Sequence, residues 1–382
     1  MDKNKILHTC YYGVMLFLPI SVFIDNLFLI LLTISTFLVK KRVYPLKNIV
    51  FSSLIIFFVY VVCLGLVSLE FETNEYLKLL PLLIIPYSFS YLKKDVLING
   101  LYFFLVAVIL KQLMAVYGII EYYYFTPGVK VPLASYAGVN EILYFERPYL
   151  GYFSALNVII AYYFFKNYKV WLFALICFFS TLIVVLISAR MGLLIIMVTL
   201  LCILISKISK RFRLVLLLFS IIVFTLFIQT NNPLKNRFQQ IKYDSRLIVW
   251  NGALEIAKEH SNYIFGIKNQ NTIKKSLLNF YENKAEFEYS PDKIRFVTKG
   301  YNTHNQFLNE FLRGGIIALL LLISPFVYAL YNSFKSHNLA FALLVLSVLM
   351  FLLVENLLAR QIGVYITAII LSLSRKIDYE KN

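Results

Sequence analysis

The residues best suited to chemistry gather in one stretch, Ser245 to Gly315, the one long polar segment in a chain of 382 residues that is 60% hydrophobic. It opens with S-R-L-I-V-W-N-G-A-L and closes with Y-N-T-H-N-Q-F-L-N-E-F-L-R-G-G. Leu247, Trp250, Leu254 and Ala257 recur at helical spacing, which predicts an amphipathic helix lying on the membrane surface or under the rest of the segment. Arg246 heads that helix, where a guanidinium and the unpaired backbone N–H groups together favour an anion such as a phosphate. In the closing segment, Thr303-x-x-Gln306 fits a capping box. Thr303 is then expected as the N-cap and His304 as the first helical residue, with Phe307, Leu308, Phe311 and Leu312 as the buried stripe and Gly314-Gly315 ending or bending the helix. A histidine so placed can serve as a general base, or it can be an ordinary capping or surface residue.

Two more basic residues stand out. Lys111 lies inside an apolar run, about 15 residues from its start, and is either a functional intramembrane charge or a snorkelling side chain. Arg190, in the tight turn S-A-R-M-G (Ser188 to Gly192), would sit at the level of lipid phosphates, as a ligand contact or a headgroup anchor. His260 and His304 lack the spacing of a metal motif, and the four cysteines fall in apolar runs at no metal-ligand spacing. No G-x-S-x-G, Walker or G-x-G-x-x-G pattern occurs. At this level the candidate site is two arginines suited to a phosphate and one candidate base.

The elements that must carry these residues are membrane spans. A mean hydropathy of +0.74 with 15% charged residues is far from soluble composition. The net charge of +17 is spread through short loops, which speaks for membrane orientation rather than nucleic acid. We count twelve spans: about 6–24, 27–39, 49–69, 76–92, 96–120, 150–165, 170–187, 191–206, 214–228, 316–331, 339–354 and 362–373. The first follows M-D-K-N-K and shows no A-x-A-like cleavage site, so it reads as uncleaved. With the amino terminus inside, eighteen Lys and Arg fall on inner segments and four on the short outer loops. Both termini are then cytoplasmic, and residues 229–315 form a large outer loop between the ninth and tenth spans. That loop is expected to hold a second helix from about Thr272 with Ile273, Leu277 and Phe280 on one face, then a flexible connection from Lys284 to Gly300. The chain thus divides into 1–228 with nine spans, the 229–315 loop, and 316–382 with three spans and a tail. The fold class is an all-α polytopic integral membrane protein.

Four blocks, S-A-R-M-G-L-L, S-R-L-I-V-W-N-G-A-L with I-F-G-I after it, Y-N-T-H-N-Q-F-L-N-E-F-L-R-G-G-I-I-A-L-L, and E-N-L-L-A-R-Q-I-G-V, resemble the O-antigen ligase and O-antigen polymerase family of bacterial envelope glycosyltransferases. The resemblance runs from about Ser188 to Val364, and I-F-G-I stands where a G-x-G is frequent in the family. It implies a GT-C-like fold, a periplasmic site in the bacterial inner membrane, and a metal-independent transferase without cofactor that uses a glycan on undecaprenyl diphosphate as donor. By the same resemblance His304 activates the acceptor hydroxyl, while Arg190 and Arg246 hold the donor diphosphate. Arg360 and Glu355, between the last two spans, would complete the site. Attack opposite the leaving group would invert the anomeric centre. The expected activity is ligation of a glycan to a lipid A-core sugar. The alternatives are polymerisation of carrier-linked repeat units and, in a different class, a polysaccharide flippase or exporter.

Overall fold

The computed structural model describes residues 3–39, 48–68, 73–127, 138–207, 245–260, 262–287 and 290–376, together with Leu46 and Leu133. Among these every regular element is helical, as lipid demands of a chain that must satisfy its backbone internally. The helices are α1 (Lys3–Phe17), α2 (Val22–Leu38), α3 (Ile49–Val67), α4 (Thr73–Leu79), α5 (Pro81–Phe89), α6 (Lys94–Ile120), α7 (Val139–Ile142), α8 (Arg147–Phe165), α9 (Val170–Leu186) and α10 (Arg190–Lys207). Within the loop and beyond it come α11 (Ser245–His260), α12 (Gln270–Asn283), α13 (Ser290–Lys299), α14 (Gln306–Lys335), α15 (Leu339–Leu352) and α16 (Gln361–Lys376).

Four helices are long and apolar enough to cross a bilayer: α3, α6 with the π turn Glu121–Phe125 that continues it, α10 and α14. Shorter apolar helices include α2, α9, α15 and most of α16. The expected ninth span, 214–228, lies outside the described residues. The expected fourth span is two short helices rather than one, because Pro81 cannot donate a backbone hydrogen bond and its ring crowds the preceding turn. At the centre of the membrane part runs α8, whose residues from Tyr149 to Tyr162 are all buried. It packs against α6, α9, α10 and α15.

The loop has its own core, built by Ile248, Val249, Ala253 and Ile256 of α11, Ile273, Leu277, Phe280 and Tyr281 of α12, Phe296 of α13 and Leu312 of α14. The face of α12 is the one its sequence predicts. In α11 the buried stripe is displaced from the expected one: Leu254 is exposed, while Leu247, Trp250 and Ala257 are half-buried. The buried stripe is instead Ile248, Val249, Ala253 and Ile256, and the helix packs against both α12 and α14. The expected flexible connection contains α13 instead of coil. Its Phe296 packs among the rings of Tyr281, Phe287 and Tyr301, at centroid distances of 5.3, 5.1 and 4.8 Å. Burial of such a ring outweighs the local charge that argued for coil.

The loop joins the membrane part at a bend in α14. Gly314 and Gly315 leave helical geometry there, with Gly315 at φ 65°, ψ −161°, a combination in practice confined to glycine. A Cβ on Gly315 would stand 2.1 Å from the Ile264 carbonyl oxygen. The turn 262–268 wraps this bend and satisfies the backbone groups it exposes. The N–H groups of Ile267 and Lys268 donate to the carbonyls of Leu312 and Arg313, and the Ile316 N–H donates to the Tyr263 carbonyl, each at 2.8 Å. From the membrane side the Tyr60 hydroxyl donates to the Gly314 carbonyl at 2.9 Å.

Candidate active site

His304 lies outside the helix it was expected to begin. The N-cap is Asn305, whose side chain accepts from the Leu308 N–H at 3.1 Å. Thr303 is fully buried and its hydroxyl turns away from the helix, to Asn356 Oδ1 at 3.0 Å and the Asn305 carbonyl at 3.1 Å. The capping-box expectation fails because this hydroxyl is engaged with the Asn305 carbonyl and the Asn356 amide oxygen instead of accepting from a helix N–H, and Asn305 caps in its place. His304 is left in the left-handed region at φ 43°, where a non-glycine residue persists only if its surroundings hold it. Its N–H donates to Asn302 Oδ1 at 3.1 Å, and its ring lies 5.7 Å from that of Tyr301.

What holds it is the turn between α15 and α16. Thr303 grips Asn356, and Gln306 accepts from the Leu358 N–H at 2.9 Å. The Gln306 amide also donates to Glu310 Oε1 at 2.8 Å. Gln306, Glu310 and Asn356 are all buried, so each of these bonds is shielded from water and costly to break. The sequence marks Thr303 and Gln306 only as a capping box and does not single out Asn356; all three lie within the sequence blocks already quoted, but nothing in the spacing pairs Thr303 with Asn356 or Gln306 with Leu358.

The clamp brings Glu355 beside His304, with Oε2 3.4 Å from Nδ1. The other carboxylate oxygen, Oε1, is 3.6 Å from Arg246 Nη2. Glu355 thus stands between the candidate base and one candidate phosphate ligand. All three side chains are partly open, at 21% exposure for Glu355, 32% for His304 and 39% for Arg246. That is the accessibility a substrate needs.

The other expected members are placed differently. Arg360 ends the turn that carries Glu355, and pairs with Glu146 at 3.4 Å where both are well exposed. Arg190 is exposed at the head of α10, following Ser188 in left-handed geometry and Ala189 buried against α8. That approach needs Gly151, because a Cβ there would lie 2.3 Å from Ala189 Cβ. Among the described residues no hydrogen bond or ion pair joins Arg190 to His304 or Glu355. Lys111 is buried in α6 and donates to the Tyr144 carbonyl at 2.8 Å, with the Phe145 ring centroid 4.9 Å away. Lys111 therefore fastens the segment before α8, next to Glu146, and makes no described contact with His304.

No curated protein matches the chain. Arg190, Arg246 and His304 all fall inside the stretch that a family comparison recognises, whereas Lys111, Glu355 and Arg360 lie outside it. Residues 173–323 match the family model described as O-antigen ligase, and over those residues the chain carries a domain of the O-antigen ligase family.

Proposed function

We propose that this membrane protein transfers a glycan from undecaprenyl diphosphate to a sugar hydroxyl of lipid A-core, on the outer face of the bacterial inner membrane. The observation that carries the reading is Glu355 standing between His304 and Arg246, 3.4 and 3.6 Å away. In this reading the His304 Nδ1–H donates to Glu355, which fixes the tautomer and leaves Nε2 to receive a proton. The acceptor oxygen attacks the anomeric carbon as the bond to the diphosphate oxygen breaks. The hydroxyl proton passes to Nε2, and Glu355 stabilises the imidazolium that forms. Charge gathering on the departing diphosphate is taken up by Arg246 and Arg190, whose planar forks suit phosphate oxygens. Attack opposite the leaving group inverts the anomeric centre, and the arginines supply the positive charge that a metal supplies in other transferases.

The supporting frame is a GT-C-like arrangement of twelve spans with both termini cytoplasmic. Residues 1–228 and 316–382 hold the spans, and the 229–315 loop faces the periplasm. Lys111 and Arg360 have supporting roles, steadying the outer segments that meet at Glu146. The test uses purified protein in lipid nanodiscs with a carrier-linked glycan and a lipid A-core acceptor. Wild type should form the conjugate, and His304→Ala should abolish its formation while donor binding persists. Retained turnover in His304→Ala removes the histidine as base. Product that grows only on the carrier assigns polymerisation instead. In cells, loss of a ligase leaves bare core with long glycan retained on its carrier, whereas loss of a polymerase leaves core bearing one repeat unit.

A further inference from the structure

The turn 262–268, which braces the bend of α14, presents three large side chains outward: Tyr263, Ile264 and Phe265 are 49%, 56% and 48% exposed. They do not belong to the loop core, and the backbone that carries them is bonded to Ile316, the first residue after the bend. Ile316 and Leu320, one turn further along α14, are themselves 40% and 59% exposed on a helix long and apolar enough to span a bilayer. The exposed apolar side chains at the start of the span and those of the turn are therefore carried on backbone that is hydrogen-bonded together at Ile316 and Tyr263. Water would leave this surface uncompensated, whereas lipid already covers its lower part. A tyrosine and a phenylalanine flanking an isoleucine are also suited to the boundary between headgroups and acyl chains.

We propose that Tyr263, Ile264 and Phe265 form a membrane anchor, inserted into the bilayer interface on the side where the loop lies. The occupant of this surface is lipid. The anchor presses the turn against the Gly314-Gly315 bend, and so fixes the height of the loop core above the membrane. That core carries Arg246 on α11, and the helix that follows His304 runs into the same bend. The inference depends on the chain being a membrane protein and is independent of the reaction it catalyses.

The experiment places single tryptophans in a Trp171→Phe, Trp250→Phe background reconstituted in nanodiscs. Ile264→Trp and Phe265→Trp are compared with Leu320→Trp on the span and with Ile294→Trp, 64% exposed on α13. Lipids brominated near the headgroup end of the acyl chain should quench both turn tryptophans at least half as strongly as Leu320→Trp. Their emission should also be blue-shifted, and an aqueous quencher should reach them several-fold less than Ile294→Trp. Unquenched, red-shifted emission equal to that of Ile294→Trp at both positions overturns the anchor. Blue-shifted emission without bromine quenching, dependent on protein concentration, overturns it in favour of a second copy of the chain. Two independent positions keep the test decisive should one substitution prevent folding.

Discussion

Replacing Glu355 by Gln keeps the shape of the side chain and removes its charge, so it tests what the carboxylate does for His304 in a chemical step measured apart from donor binding at Arg246. At 3.4 Å, a full charge pair is worth about 1 kcal/mol in bulk water and about 5 kcal/mol at the screening typical of a protein surface. Both side chains are partly open, at 32% and 21%, so the lower part of that range applies, about 1–3 kcal/mol. That pair is complete only when His304 carries a proton, which on the proposed pathway happens as the acceptor is activated. The loss should therefore fall on the chemical step. At roughly 1.4 kcal/mol per factor of ten, it amounts to about fivefold to a hundredfold in rate. The assay is single-turnover transfer with saturating carrier-linked glycan, so that donor binding does not contribute. A double mutant sharpens it where His304→Ala keeps a measurable residual rate: if Glu355 works through His304, adding Glu355→Gln leaves that residual rate unchanged. A Glu355→Gln rate within twofold of wild type, or losses that simply multiply in the double mutant, would refute the pairing as a catalytic device.

Other perturbations probe the clamp and the frame. Arg246→Lys and Arg190→Lys should each raise the donor KM severalfold or more, because an ammonium cannot reproduce the guanidinium fork; wild-type kinetics in both would remove the arginines as diphosphate ligands. Gly315→Ala forces a Cβ to within 2.1 Å of the Ile264 carbonyl oxygen. The backbone strain costs about 1–3 kcal/mol and the overpacking about as much again. The variant should unfold at a clearly lower temperature in a detergent-based melt, and an unchanged Tm would contradict the geometry of the bend. Lys111→Met removes the bond to the Tyr144 carbonyl and leaves a backbone acceptor without its donor, a loss of about 1–3 kcal/mol. Its melting temperature should fall while the donor KM stays near wild type; a selective rise in donor KM would instead make Lys111 a substrate ligand.

The parts of this molecule that were legible in its sequence are those decided within a few residues of one another. Hydrophobic runs announce α3, α6, α10 and α14, the face of α12 follows from Ile273, Leu277 and Phe280, and Gly314-Gly315 marks the bend. Elsewhere a local pattern met a distant partner and lost. Thr303 has the spacing of a cap, yet it bonds Asn356 across 53 residues and Asn305 caps the helix instead. The charged stretch after Lys284 reads as coil until Tyr281, Phe287 and Tyr301 are seen to surround Phe296. Glu355 enters the expected site beside the family resemblance and not from any local pattern, since on its own it is one acidic residue following an apolar run. Its significance comes from Thr303 and Gln306 binding the turn around it, which places the carboxylate between side chains 51 residues and more than a hundred residues away in the chain. The turn 353–360 is therefore as much a part of the candidate site as the large loop. Binding energy set aside in Thr303–Asn356 and Gln306–Leu358 is what allows His304 to keep an unfavourable backbone geometry facing Glu355. A disturbance of either bond should reach His304 through that geometry, even though neither bond touches the groups proposed to react.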